Sequence, residues 1–182
     1  VMKNLAMDLR PGDLLTREAL ENAVTMVATT AGSSNAVLHL LAIAREANVE
    51  LTLEDFHAIC ERTPVLADLK PGGQFTAPDL TAAGGIGVLS KALLEAGLMN
   101  DILTVTGQSL STEVESLELT PGQRVLRGVD NPLKPQGGLA VLRGNLSPEG
   151  CVVKLSGSVR RQHTGPARVF DCEEDAFAAL QD

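Results

Sequence analysis

The sequence predicts an α/β protein: a layered α/β region followed by a region rich in β-strands. Apolar residues recur at helical spacing through the first half of the chain, and short apolar runs separate these segments. Of the 182 residues, 44% are hydrophobic but only 2% are aromatic, with four Phe and no Tyr or Trp. A core of Ala, Leu, Val and Ile suits helices that pack closely on a sheet. This length can fill one large domain or two small ones.

Helices dominate the prediction for the first half of the chain. They cover residues 17–28, 36–47, 53–60, 77–83 and 86–96. Thr16 is suited to cap the first helix, Thr52 and Asp55 have the spacing of a capping box, and Gly97 follows the last helix as a terminating residue. The helix over 36–47 is apolar on nearly all faces, so we expect it to be largely buried.

Short apolar runs predict the strands. They cover residues 64–69, 102–105, 139–144, 151–156 and 167–170. Pro and Gly are frequent over 121–138, which indicates a crossover between an α/β region over 1–120 and a β-rich region over 139–182. Asp171 and Glu174 have the spacing of a capping box before a final helix. The region over 139–182 is too small to bury a stable hydrophobic core of its own, so we interpret it as the start of a larger β-rich domain.

Charge and composition exclude several kinds of partner. The chain has 23 acidic residues against 15 Lys and Arg, a formal charge of −8. Phosphate backbones attract basic surfaces, and many single-strand modules stack bases on aromatic rings, so we expect no nucleic-acid partner. The apolar runs are short and interrupted, so we expect no membrane partner.

The cysteines are few and scattered. Cys60, Cys151 and Cys172 lie far apart, with no C-x-x-C pair. This pattern is typical of free thiols in a reducing compartment and leads us to expect a cytoplasmic protein. Three cysteines are enough to ligate an iron–sulfur cluster, but nothing in their spacing favours one.

The strongest candidate site is the loop AGSSNAVLH at 31–39. Gly32, Ser33 and Ser34 combine a flexible backbone and small hydroxyl side chains at the start of a helix, where free N–H groups favour a carboxylate or phosphate. The alternative is a plain N-cap, because Ser and Asn prefer that position for structural reasons. His39, one turn into the helix, either faces a ligand or is a satisfied core histidine.

Other chemistry-bearing residues form no convincing site in the sequence. His57 and His163 lack ligand neighbours at zinc spacing, and the glycines over 84–87 are better explained as a turn between helices than as a dinucleotide loop. The acidic stretch over 113–118 is interpreted as solvated, although its carboxylates could bind a hard cation. The residues alone therefore predict one weak anion-binding loop, no catalytic residue and no metal ligand.

A family resemblance extends this interpretation. The segment GSSNAVLHLLAIA at 32–44 resembles the G-S-T-N-A-V-L-H-L-x-A-I-A signature of the IlvD/Edd dehydratases. Further blocks are similar to the family in the same order, at residues 51–73, 83–85, 93–98, 103–110, 131–154 and 165–180. Within the family, TPVLADLKP and DNPLKPQGGLAVLRGNL are most similar to the dihydroxy-acid dehydratase branch. The sugar-acid branch, which includes 6-phosphogluconate dehydratase, is the nearest alternative.

The resemblance implies a hydro-lyase that converts a 2,3-dihydroxy carboxylic acid into a 2-oxo acid during valine and isoleucine biosynthesis. Family members use an iron–sulfur cluster as a Lewis acid on the leaving hydroxyl. They also use a Mg²⁺ ion held partly by a carbamylated lysine, and a deprotonated serine as the base. Such metals help because hydroxide is a poor leaving group until a metal binds it. The resemblance also implies a homodimer.

The same resemblance implies that this chain lacks those parts. The family's cluster cysteines and Asp-Lys pair belong N-terminal to the region represented here, and its last carboxylate ligand and base serine belong C-terminal to it. The first residue is Val, and the last residues end a predicted helix. We therefore expect an inactive internal fragment that ends at the start of a β-barrel-like C-terminal domain. A metal-free module that kept the fold and lost the reaction is the alternative from another class.

The family's site residues map onto the loop already described. The resemblance implies that Ser33, Ser34, Asn35 and His39 lie near the substrate cleft. Two positions depart from the common pattern: Ala31 stands where Gly is usual, and Ser34 replaces Thr. Ser34 keeps the hydroxyl, whereas Ala31 restricts a backbone that needs positive φ.

Overall fold

The computed structural model describes residues 1–155 and 162–181 as a set of helices with one small sheet. The helices are α1 (Met2–Ala6), α2 (Pro11–Leu14), α3 (Arg17–Thr29), α4 (Asn35–Glu46), α5 (Leu53–Arg62), α6 (Ala77–Ala82), α7 (Gly85–Glu95), α8 (Leu110–Val114) and α9 (Glu173–Gln181). The strands β1 (Leu139–Gly144) and β2 (Ser147–Lys154) pair antiparallel in a two-stranded sheet. This mixture is consistent with the predicted α/β class, and the sheet is open rather than closed into a barrel. Within the described residues, no helix is both long and apolar enough to cross a membrane.

The residues that the sequence predicts at the helix ends are confirmed in the structure. Thr16 Oγ1 accepts a hydrogen bond from the N–H of Ala19 (3.2 Å) and caps α3. At α5, the Thr52 N–H donates to Asp55 Oδ2 (2.7 Å) while Thr52 Oγ1 accepts from the Asp55 N–H, which completes the capping box. Gly97 adopts φ 68° just beyond α7. These local signals fix where the helices begin and end.

The prediction that α4 is largely buried is wrong. Only Val37 and Ala44 are buried in this helix, and Leu38 is 68% exposed. The apolar composition of α4 indicates that it can be buried on several sides, but in this structure the helix packs along one face only. The short helices α1, α2 and α8 were not predicted, since four or five residues give too little periodicity to detect.

The predicted strands are only partly confirmed. Residues 64–69 and 102–105 form isolated bridges rather than strands, at Val65 with Lys134, Ala67 with Leu126, Leu69 with Phe75, and Leu103 with Ser109. The buried 65–67 segment is bonded to several different neighbours: the Val65 N–H donates to the Lys134 carbonyl and the Leu66 N–H to the Thr29 carbonyl. Its backbone is therefore satisfied without a ladder.

The last part of the chain differs from its prediction in two places. Residues 167–170 are not a strand, and β2 begins at Ser147, inside the turn expected over 145–150. Residue 156, the last of the predicted 151–156 strand, lies outside the described residues. The helix expected after Asp171 is confirmed as α9.

Two apolar clusters form the core. The first, which we call the central core, contains Leu66, Ala67, Leu80, Ala83, Leu89, Leu93, Val125 and Leu126. The second, the helical core, contains Val24, Ala28, Val37, Phe56, Ile59, Cys60 and Leu139. Leu139 comes from β1, and Val141 and Val152 of the same hairpin also pack against this cluster. The hairpin therefore shares its core with α3, α4 and α5.

Candidate functional site

The loop between α3 and α4 is a complete helix-terminating turn. The Ala31 N–H donates to the Ala28 carbonyl (3.2 Å) and the Gly32 N–H to the Val27 carbonyl (2.9 Å). These two bonds are the pair that defines a Schellman motif, whose turning residue must adopt a left-handed conformation. That residue is Ala31, at φ 47°. The positive φ expected at this position is confirmed, and an alanine adopts it where glycine would be unstrained.

The first turn of α4 assigns the capping role to Ser33. Ser33 Oγ accepts from the Asn35 N–H (3.2 Å), whereas Ser34, the N-cap residue, makes no side-chain capping bond. The Ala36 and Val37 N–H groups donate to the carbonyls of Ser33 and Ser34. The expectation of several free N–H groups at this helix start is therefore wrong for residues 35–37, which are satisfied locally.

The polar groups that stay available belong to Ser34 and Asn35. Both residues are exposed, and neither side chain makes a hydrogen bond to any other part of the chain that the structure describes. The N–H groups of Ser33 and Ser34 are likewise unused within the described residues. The Ser33 hydroxyl is thus used within the loop, whereas Ser34 and Asn35 present unpaired donors and acceptors next to the start of a helix dipole.

His39 lies on the same helix face as Asn35, because residues four apart are neighbours on a helix. It is exposed, so the interpretation of a satisfied core histidine is wrong for this structure. The structure therefore brings Ser33, Ser34 and Asn35 together at the start of α4 and places His39 one turn further along the same open side.

A small cavity of about 200 Å³ adjoins this loop at Ala31. Asp68 and Lys134 supply its charged lining, and Val65, Leu69 and Leu133 supply apolar lining. Asp68 Oδ2 accepts from the Gln74 side-chain amide (3.2 Å), and Lys134 Nζ donates to the Leu155 carbonyl (2.5 Å). Sequence reasoning missed Asp68 and Lys134, because only the folded chain brings the segments around residues 68 and 134 to one cavity.

The cysteines differ widely in environment. Cys60 is buried in the helical core, and burial raises the pKa of its thiol to about 11, against a smaller opposing effect of a hydrogen bond from the Leu139 backbone. Cys151 and Cys172 are exposed. In residues 1–155 and 162–181, no three His, Cys, Asp or Glu side chains come together in a way that could hold a metal ion.

The remaining candidates have structural explanations. Gly84, between α6 and α7, and Gly85, the first residue of α7, both adopt positive φ, so the interpretation of a turn that joins two helices is confirmed. In the acidic stretch, Glu113 accepts hydrogen bonds from the Thr104 and Thr106 hydroxyls, which lower its pKa. His57 Nε2 lies 3.7 Å from Glu61 on α5, a pair that the four-residue spacing could have revealed. Two such groups alone do not make a metal site.

Comparison with known proteins defines the family. The N-terminal model of the dihydroxy-acid/6-phosphogluconate dehydratases matches residues 1–113, and the C-terminal model matches residues 124–182. The chain belongs to this dehydratase family. The family resemblance seen in the sequence is thereby confirmed.

Three relatives from different organisms are named dihydroxy-acid dehydratase. The dihydroxy-acid dehydratase of Roseiflexus castenholzii is 56% identical over 181 residues, which is 99% of this chain and 32% of the relative. Those of Koribacter versatilis and Sulfurisphaera tokodaii are 53% and 47% identical, over 100% and 99% of this chain and 32% and 33% of their own lengths. The chain spans about a third of the length of the curated relatives it matches.

Proposed function

We propose that this chain is part of a dihydroxy-acid dehydratase that removes water from 2,3-dihydroxy carboxylic acids in valine and isoleucine biosynthesis. In this reaction C2 loses its proton and C3 loses its hydroxyl, and the resulting enol becomes a 2-oxo acid. The observation that carries the proposal is the identity of 47–56% with proteins named dihydroxy-acid dehydratase over nearly the whole chain. Sugar-acid dehydration is the other activity named in the family description.

Within that enzyme, we propose that the α3–α4 loop contributes to substrate binding through Ser33, Ser34, Asn35 and His39. The unpaired Ser34 hydroxyl and Asn35 amide, with the unused N–H groups of Ser33 and Ser34, can donate to carboxylate or hydroxyl oxygens of a small acid. The dipole of α4 favours an anion at the same place. His39 adds a polar group one turn away on the same face.

The iron–sulfur cluster and Mg²⁺ of the family do not fit the residues described in this chain. Cys60 is buried among apolar side chains of the helical core, and the described carboxylates, histidines and cysteines form no ligand group of three. We therefore propose that the ligands of both cofactors come from parts of the enzyme outside these 182 residues.

We further propose the domain division at residues 1–120, 121–138 and 139–182, with 139–182 beginning a β-barrel-like domain. The break between the two family models, at residues 114–123, and the β1–β2 hairpin support this division. A homodimer in the cytoplasm is the proposed state of the enzyme, in keeping with an acidic chain that has sparse free cysteines.

A substrate panel tests the activity. The dehydratase polypeptide that contains this chain, with its cofactors reconstituted, should form 2-oxo acid from 2,3-dihydroxy-isovalerate and much less from long polyol acids such as gluconate or 6-phosphogluconate. The reverse preference would assign the protein to the sugar-acid branch. No activity on either class would favour a module that kept the fold without the reaction.

Replacing Asn35 by Ala tests the binding loop. In the same polypeptide, Asn35→Ala should raise KM for the dihydroxy acid by about tenfold, the effect of losing one hydrogen bond to a charged group. The melting temperature should stay unchanged, because the Asn35 side chain has no partner among the described residues. Asn145→Ala, at an exposed asparagine in the β1–β2 turn that does not have a positive φ, is the matched control and should leave both KM and the melting temperature unchanged. A lowered melting temperature with normal KM would make Asn35 a purely structural residue.

A further inference from the structure

The buried glycine pair at the end of the crossover fits against the end of α3 with almost no free space. A methyl group on Gly138 would lie 2.4 Å from Ala31 Cβ and 2.5 Å from Ala31 Cα. These distances are far below any carbon–carbon contact, so a side chain at 138 must displace its neighbour. One of the two close atoms belongs to the backbone of the α3–α4 loop, and rotation of a side chain cannot relieve the overlap.

Gly138 itself is held from two sides. Its N–H donates to the Ala28 carbonyl (3.1 Å), and its carbonyl accepts from the Leu155 N–H (2.7 Å). Gly137, directly before it, donates to the Cys60 carbonyl (2.7 Å). These bonds tie the crossover to α3, α5 and the end of β2. Ala31 has a positive φ, and the turn bonds of Ala31 and Gly32 both run to α3.

We propose that Gly138 is a positioning residue for the substrate-binding loop. Because Gly138 has no side chain, Ala31 can pack directly against the crossover. Ala31 is followed in the sequence by Gly32 and then by Ser33 and Ser34. A displacement of Ala31 therefore moves the binding groups two and three residues later. This inference rests on the proposed function, because only that function assigns a substrate to the α3–α4 loop.

The neighbouring Gly137 provides a matched control. A methyl group on Gly137 would lie 3.0 Å from Ala28 Cβ, 3.0 Å from the Cys60 carbonyl oxygen and 3.2 Å from Cys60 Cα. All three atoms belong to helices of the helical core and none to the loop. The same substitution one residue earlier thus disturbs packing without pressing on Ala31. Gly144, where a methyl group would meet nothing within 4 Å, controls for the substitution itself.

The experiment compares Gly138→Ala, Gly137→Ala and Gly144→Ala in the complete dehydratase polypeptide. We expect Gly138→Ala to raise KM for the dihydroxy acid on the order of tenfold, because small misplacements of binding groups are costly. Gly137→Ala should lower the melting temperature but leave KM within about twofold of the parent, a change below 0.5 kcal/mol. Gly144→Ala should change neither quantity.

A second-site variant distinguishes an effect on the position of the loop from a general loss of packing. Ala31→Gly removes the Cβ atom that a methyl group on Gly138 would strike at 2.4 Å. The Cα atom at 2.5 Å remains, but glycine lets the backbone at residue 31 move away from it more easily, so KM should return part of the way toward the parent value in the Gly138→Ala background. Ala31→Gly should have no such effect in the Gly137→Ala background. If Gly138→Ala alone fails to fold, KM is measured in the Ala31→Gly/Gly138→Ala double variant instead.

Two results would overturn the inference. One is an equal KM change in Gly138→Ala and Gly137→Ala; the other is failure of Ala31→Gly to act selectively. Amide hydrogen exchange of residues 31–35 keeps this test independent of activity, since Gly138→Ala should speed exchange there more than Gly137→Ala. An inactive parent enzyme whose loop still responds in this way would refute the proposed function and leave the contact between Gly138 and the loop established.

Discussion

At the scale of single residues, Asp55 serves two partners at once. One carboxylate oxygen closes the capping box with Thr52, and the other accepts from Arg17 Nη2 on α3 at 2.5 Å. Arg17 is further bound to Glu21 at 2.8 Å. The hydrogen bond from Arg17 lowers the pKa of Asp55 to about 2, with Thr52 adding to the effect against partial burial. This carboxylate links the start of α5 to the start of α3.

The sign of the pH dependence follows from that lowered pKa. A carboxylate with a depressed pKa stabilises the fold above its unfolded pKa of about 4, and this contribution is lost as pH falls through about 2. Asp55→Asn removes the charge and keeps the shape. At pH 7 it should lower the free energy of unfolding by about 1–2 kcal/mol, because the pair is only partly exposed.

Asp79→Asn is the control for this prediction. Asp79 closes an equivalent capping box with Thr76 at α6 but accepts no hydrogen bond from an arginine among the described residues. Urea unfolding at pH 7 and at pH 3 should show a larger loss for Asp55→Asn than for Asp79→Asn at pH 7, and a smaller difference at pH 3. Equal losses at pH 7 would show that the bond to Arg17 contributes nothing beyond the cap.

At the scale of secondary structure elements, the sequence is informative where structure depends on near neighbours. The Thr52–Asp55 spacing and Gly97 correctly marked helix ends, because each acts within a few residues. The 64–69 segment was wrongly predicted as a strand, since its apolar residues report burial and not which partner its backbone meets. The interpretation of His39 as a core histidine was wrong for a related reason. Its apolar neighbours in the sequence did not specify which face of α4 is covered.

The hairpin is the element whose position the sequence could not supply. Its strand β1 was predicted, but its place against α5 depends on contacts between residues far apart in the chain. Leu139, at the start of β1, is 4% exposed within the helical core, whereas Leu142 on the same strand is 51% exposed. These two leucines allow a matched test of how much the hairpin contributes to that core.

Leu139→Ala should lower the free energy of unfolding by about 2–4 kcal/mol, since it removes buried methyl groups and leaves a cavity. Leu142→Ala should cost less than about 1 kcal/mol, because its side chain is half in solvent. Urea titration of each variant measures both values. Equal and small losses would mean that the hairpin is not integrated with the helices.

At the scale of the whole molecule, the chain has two apolar cores but no assembled reaction centre within its described residues. The site loop, the nearby cavity with Asp68 and Lys134, and the glycine pair meet where α3 ends. Among the described residues, no three His, Cys, Asp or Glu side chains come together in a way that could hold a metal ion. The relatives are about three times as long as this chain.

This leads to a prediction for the isolated chain. The purified 182 residues, treated with iron, sulfide and Mg²⁺, should form no 2-oxo acid from a dihydroxy acid, because the described residues supply no ligand set for either cofactor. The complete dehydratase polypeptide treated in parallel is the positive control. Measurable turnover by the isolated chain, absent when iron and sulfide are omitted, would contradict both the prediction and the assignment of the ligands elsewhere.

The turn at Ala31 has one further consequence. Its own hydrogen bonds close over a few residues, whereas the glycine on which it rests lies about a hundred residues later in the sequence. The shape of the loop is thus encoded locally and its placement is encoded at a distance. Substitutions within 33–35 change the polar groups that the loop presents, and substitutions at Gly138 change the position of the loop. Evolution or design can therefore adjust these two properties independently.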